Sequence, residues 1–140
     1  MKITRTSKGL LSSITSSAIF FLLTASNPAN SEPITHPYTE TYRKCINDST
    51  NTAEQYSCIE EEHKIWDQKL NKAYKETLSS RVNPPAWKIA QRNWLKFRKS
   101  QCEIYNFKSN GSGDGVLEAV CELNLTIERT LQLEDSNWPS

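Results

Sequence analysis

The sequence predicts an all-α domain, a three-helix antiparallel bundle stapled by two disulfides. Three observations predict it. Apolar side chains recur at helical spacing in three segments beyond Thr52. Four cysteines, Cys45, Cys58, Cys102 and Cys121, all follow an N-terminal segment built like an export signal. No segment reads convincingly as a strand.

The N-terminal segment has three parts. Met1 to Gly9 carries Lys2, Arg5 and Lys8 and no acid. Leu10 to Leu23 is apolar or small, and Ala25 to Ser31 is small and polar. A basic stretch, an apolar stretch and a cleavable stretch make a secretory signal peptide over residues 1–31. The apolar part is shorter than the roughly 20 residues of a spanning helix. Cleavage is expected after Ala29-Asn30-Ser31, with Thr24-Ala25-Ser26 as the second site. No cysteine stands near the cleavage region, so neither a lipid-modified terminus nor a stable membrane anchor is expected. A location in the periplasm, or outside the cell, follows. An even number of cysteines in a short exported chain then reads as two disulfides.

Past Ser31 the 17 basic residues become 14 against 16 acids, and the net charge falls from +1 to −2. That balance argues against a nucleic-acid partner, which would call for a strongly basic face. The 109 residues that remain suit one domain with a modest core. In so small a core each disulfide is expected to matter, at about 3 kcal/mol in the chain-entropy model.

Residues 32–51 contain Pro33 and Pro37 and show little periodicity, so they read as an extended arm held by Cys45. The helical domain spans 52–134. Its first helix begins near Thr52, which with Gln55 makes a capping box. Ile59, His63, Trp66, Leu70, Tyr74 and Leu78 form one stripe. Asn83-Pro84-Pro85 ends that helix and starts the next, with Asn83 as cap and Pro84 at the first position. Trp87, Ala90, Trp94, Phe97, Gln101 and Ile104 then share a face. The run Asn106 to Gly115 holds three of the four glycines and reads as a loop. The third helix is expected from Asp114 as cap, with Leu117, Val120, Ile127 and Leu131 in line and Asn124 interrupting. Residues 135–140 are a tail.

Folding the chain at the double proline sets Asp67 opposite Arg98, Asn71 opposite Trp94 and Tyr74 opposite Gln91. This register predicts a structural polar network of Asp67, Asn71, Gln91 and Arg98. Such a network would fix helix register more than it adds stability. The favoured disulfides are Cys45–Cys58 and Cys102–Cys121. Cys58–Cys102 with Cys45–Cys121 stays open, because Cys58 and Cys102 fall near one end of the hairpin.

The residues give little sign of reaction chemistry. His36 and His63 are the only histidines and lack metal-ligand spacing, so no metal and no cofactor are expected. His63 is expected to border the helix seam and pair with Asp67 one turn on. Cysteines that are all oxidised supply no thiol nucleophile. Carboxylates are plentiful, but carboxylates on solvated helices are ordinary, so no catalytic residue is named and no enzyme is expected. The glycine-rich loop is the best contact element, with Phe107, Lys108, Ser109, Asn110 and Asp114 as candidate partner-binding residues. A disulfide across its base would limit the entropy lost on binding.

Read as an ordered set, the motifs resemble a known family. Cys58 precedes Trp66-Asp67-x-x-Leu70-Asn71-x-x-Tyr74. Ala90-Gln91-x-x-Trp94-x-x-Phe97-Arg98-x-x-x-Cys102 follows the prolines, and Cys121 precedes Leu125-Thr126-x-x-Arg129 and Leu133. This pattern, from about Cys45 to Leu133, resembles the LprI-type lysozyme inhibitors, small exported bacterial proteins or lipoproteins. The resemblance implies a disulfide-bonded helical domain in the bacterial envelope, a protein partner, and stoichiometric binding to a lysozyme-type muramidase. The lipoprotein members' anchor is not carried over, since the lipid-attachment cysteine is missing. The alternative is a structural or accessory envelope protein that binds another protein or a cell-wall component.

Overall fold

Short polar side chains set where the helices begin. In the computed structural model, which describes residues 35–106 and 111–135, the helices are α1 (Glu40–Asp48), α2 (Thr52–Ser80), α3 (Pro84–Glu103) and α4 (Ser112–Glu134). Asn51 caps α2 by accepting from the Glu54 backbone N–H at 3.0 Å. Glu54 in turn accepts from Thr50 N at 2.7 Å and Thr50 Oγ1 at 3.1 Å. These bonds hold the Glu54 carboxyl below its ordinary range. The capping box therefore sits one residue earlier than the expected Thr52 and Gln55. Asn83 caps α3 from a left-handed backbone (φ 57°), and the two prolines follow at the first positions of the helix.

The four helices replace the expected three, and the addition lies in the arm. Residues 40–48 are helical, not extended. Thr39 caps α1 by accepting from Tyr42 N at 3.1 Å. Tyr38, Tyr42 and Ile46, each four apart, pack against the core. Nine residues are too few for periodicity to stand out, and tertiary packing rather than propensity holds such a helix.

The core lies mainly between α2 and α4. One cluster joins Ile59 and Trp66 to Ala119, Leu123 and Ile127. A second joins Leu70 and Ala73 to Leu133, with Tyr74, Trp87 and Trp94 packed around it. Residue numbers rise together along both helices, so α2 and α4 run parallel. The antiparallel neighbours are the successive ones: α3 reverses direction after Asn83 and returns beside α4. Among its residues only Gln91 and Cys102 are buried. The expected α3 seam is thus not a core seam: Ala90, Phe97, Gln101 and Ile104 are exposed.

The expected face of α4 is also shifted. It starts at Ser112, with Gly111 in the cap position. Asp114 is the third helical residue and is buried. Leu117 and Leu131 point outward, while Thr126 and Thr130 lie inside. Both threonines enter the core with their hydroxyls satisfied. Thr126 donates to the Glu122 carbonyl at 2.7 Å and Thr130 to the Thr126 carbonyl at 2.8 Å. Asn124, the interruption in the apolar line, accepts from the Tyr38 hydroxyl.

Glu62 is the buried charge-bearing group at the α1–α2 junction. Its carboxylate accepts from Thr39 N at 2.8 Å, Thr39 Oγ1 at 2.5 Å and Trp66 Nε1 at 2.9 Å. One side chain thereby anchors the cap of α1 and orients the largest ring of the core. The two disulfides complete the ties. Cys45–Cys58 joins α1 to α2 with a Cα–Cα distance of 5.8 Å. Cys102–Cys121 joins α3 to α4 at 5.6 Å. The Cys58–Cys102 alternative does not occur.

Two stability measurements follow. Glu62→Ala strands the buried Trp66 indole N–H and two part-buried Thr39 donors, and should lower the urea unfolding free energy by about 2–3 kcal/mol. Its exposed neighbour Glu61→Ala should change it by about 0.5 kcal/mol or less. Replacing Cys102 and Cys121 together by serine should cost about 3 kcal/mol, read from the same denaturation curves.

Candidate functional site

The four residues expected to form one network are divided among three places. Asp67 and Asn71 are exposed and bond to each other along α2, Asn71 Nδ2 donating to Asp67 Oδ2 at 3.1 Å. Arg98 instead reaches across to α4, its Nη1 donating to Thr126 Oγ1 at 2.8 Å. Gln91 accepts from Arg129 Nε at 3.1 Å. The hairpin register overlooked α4, which inserts beside α2 and takes the partners that α2 would have supplied to α3.

Thr126 is a three-way hub. Its single hydroxyl hydrogen goes to the Glu122 carbonyl, so its oxygen is an acceptor for the remaining partners. These are Arg98 Nη1 from α3 and His63 Nε2 from α2, the latter at 3.1 Å. This assigns the Nε2 hydrogen to His63. His63 therefore bonds to Thr126 and not, as expected, to Asp67. Burial holds the imidazole pKa below its ordinary 6.5, and the Arg98 cation adds to the effect. Glu122, Asp67 and Glu60 oppose it.

Between α3 and α4 lies an open groove of ≈ 380 Å³, lined by Trp94, Phe97, Leu125, Glu128, Arg129 and Gln132. Arg98 and Arg129 both stack near the Trp94 ring, their Cζ atoms 5.2 Å and 5.9 Å from its centroid. Glu128 is engaged elsewhere, by His36 Nε2 at 3.0 Å. The sequence pattern contained Arg98 and Arg129 but gave no sign that they meet on one ring. Their spacings to Trp94 and Gln91 signal this only once α3 and α4 are laid antiparallel.

The disulfide-braced end is the second surface. Ile104 is 59% exposed and Leu117 44% exposed, one on each side of the glycine-rich segment. Of the candidate contact residues, Phe107, Lys108, Ser109 and Asn110 lie outside the described residues, as do residues 1–34, where the signal peptide was expected, and 136–140. Asp114 is 5% exposed, so its side chain belongs to the interior and not to a contact surface. Among the described residues, no group of three or more His, Cys, Asp or Glu is arranged to hold a metal ion. No helix among them is long and apolar enough to cross a membrane.

The hub gives a pH dependence with a defined sign. Folded His63 takes up a proton less readily than unfolded His63. Stability is therefore fully present above pH 6.5 and is lost as pH falls below it, until the folded imidazole also protonates. Melting temperatures measured in steps from pH 7.5 downward should show this decline. His63→Gln, which keeps a donor toward Thr126, should remove the histidine-dependent part of it.

The family model described as lysozyme inhibitor LprI matches residues 45–133. That range runs from the first cysteine to the last turn of α4 and contains both disulfides and both core clusters. An uncharacterized protein of Rhizobium meliloti (strain 1021) is 28% identical over 94 residues, covering 56% of this chain and 68% of the relative. No solved structure matches. The motifs read from the sequence, the stapled helical core and the extent of the match agree, and the chain belongs to the lysozyme inhibitor LprI family.

Proposed function

We propose that this chain is an exported binding protein that inhibits a lysozyme-type muramidase by stoichiometric occlusion, without turnover. The observation that carries this reading is the family match over residues 45–133, which includes both disulfides. The disulfides support an oxidising compartment, and hence export. In this reading residues 1–31 are removed as a signal peptide, and the remainder acts in the periplasm or outside the cell. Residues 52–134 are the working domain, and the segment from Phe107 to Asn110 is presented to the partner.

The surface supports binding more than reaction. Ile104 and Leu117 place exposed apolar side chains beside the candidate contact segment. Cys102–Cys121 braces the two helices that carry it. Bracing before contact reduces the ordering cost of association.

The test is hydrolysis of peptidoglycan by a panel of lysozymes in the presence of the oxidised protein. A slowing that saturates near one equivalent of protein per enzyme is expected. Unchanged hydrolysis at several-fold molar excess, with no complex on gel filtration, would overturn the inhibitor reading. Recovery of a different envelope component in a pull-down would then favour the accessory role.

A further inference from the structure

Arg129 is 8% exposed, yet all its hydrogen-bond partners are neutral. Its Nε donates to Gln91 Oε1 at 3.1 Å and its Nη1 to Gln132 Oε1. Arg98 beside it donates to Thr126, and its buried Nε has no hydrogen-bond partner among the described residues. Among the described residues neither guanidinium has a carboxylate within ion-pair distance, all such pairs lying elsewhere. Burial lowers the Arg129 pKa with no acid opposing it, but a guanidinium keeps its charge in a protein. Buried charges are as a rule paired. Here two cations share the Trp94 ring, and among the described residues neither has an ion-pair partner.

The open groove supplies a route to that charge. Arg129 lines it, with Trp94, Phe97 and Leu125 as apolar walls. Glu128, the acid of the same groove, bonds to His36 and makes no ion pair with either guanidinium. Gln91 and Gln132 fix the guanidinium from two sides, so its remaining donors are pre-oriented. A planar fork of this kind matches a carboxylate, and the aromatic walls suit the short apolar stem that carries one.

We propose that the α3–α4 groove receives an acidic side chain of a protein partner, its carboxylate pairing with Arg129 beside the Trp94 ring. The proposal rests on the reading of the chain as a protein-binding module and names the chemistry of one contact. Occupation of the groove places the missing negative charge against the buried cation. It also accounts for an arginine, with two amides to hold it, at a position where an apolar residue would pack without a charge to satisfy.

The test uses the oxidised protein and two N-acetylated, C-amidated dipeptides, leucyl-glutamate and its neutral counterpart leucyl-glutamine. Binding is followed by NMR shifts of the Trp94 indole N–H and the Arg129 Nε–H. The acidic peptide should bind about tenfold more tightly than the neutral one, and Arg129→Gln, which removes the charge, should abolish most of that preference. Equal binding of the two peptides, binding of neither, or an undiminished preference in Arg129→Gln would overturn the proposal. If the variant fails to fold, the comparison of the two peptides on the unaltered protein decides. Lysozyme takes no part in the experiment, so failure of muramidase inhibition and failure of the groove are separate results.

Discussion

The parallel contact between α2 and α4 carries the rest of the structure. Ile59, Trp66, Leu70 and Ala73 meet Ala119, Leu123, Ile127 and Leu133, and among the described residues every buried apolar side chain but Cys102 lies on these two helices. At about 25 cal/mol per Å² such burial is the main favourable contribution available to a domain of this size. The other two helices are attached to this pair by different means. Glu62 and Cys45–Cys58 hold α1, through a buried carboxylate and a covalent link. Arg98, Gln91 and Cys102–Cys121 hold α3, together with the half-buried Trp87 and Trp94.

That division has a functional reading. A helix held by polar bonds and one disulfide can present side chains outward without dismantling the core. The exposed Phe97 and Ile104 of α3 and the charged floor of the α3–α4 groove both depend on this arrangement. The two guanidiniums at Trp94 would be costly in a purely structural seam, where removing charge from water is not repaid without a partner of opposite sign. Arg129 lines the open α3–α4 groove, which fits an element used for recognition.

Much of the fold was legible from residue spacing. The stripe from Ile59 to Leu70 marked α2, and Asn83-Pro84-Pro85 marked the turn with its cap and prolines. The favoured cysteine pairs are the ones the structure contains. Polarity is a poor guide to exposure in this chain. Glu62, Thr126, Thr130 and Arg129 are buried because each finds hydrogen-bond partners, some of them distant in sequence. Conversely, Leu117, Leu131 and Ile104 are apolar and exposed, as single surface apolar residues often are. The spacing of Tyr38, Tyr42 and Ile46 was a signal for α1, but a nine-residue helix is too short for such spacing to stand out. The hairpin register placed α2 against α3 and so paired Asp67 with Arg98. Only the position of α4 reassigns Arg98 to Thr126.

The central claim is that α2 and α4 form the stable frame, with α3 attached to it more weakly. Native-state hydrogen exchange of the oxidised protein tests this most directly, because it resolves opening free energies element by element. Amides near Trp66 and Leu70 in α2, and near Leu123 and Ile127 in α4, should exchange only through global unfolding. Those along the exposed length of α3 should open at distinctly lower free energy. Protection of α3 equal to that of α2 and α4, or separate opening of α2 from α4, would contradict the account.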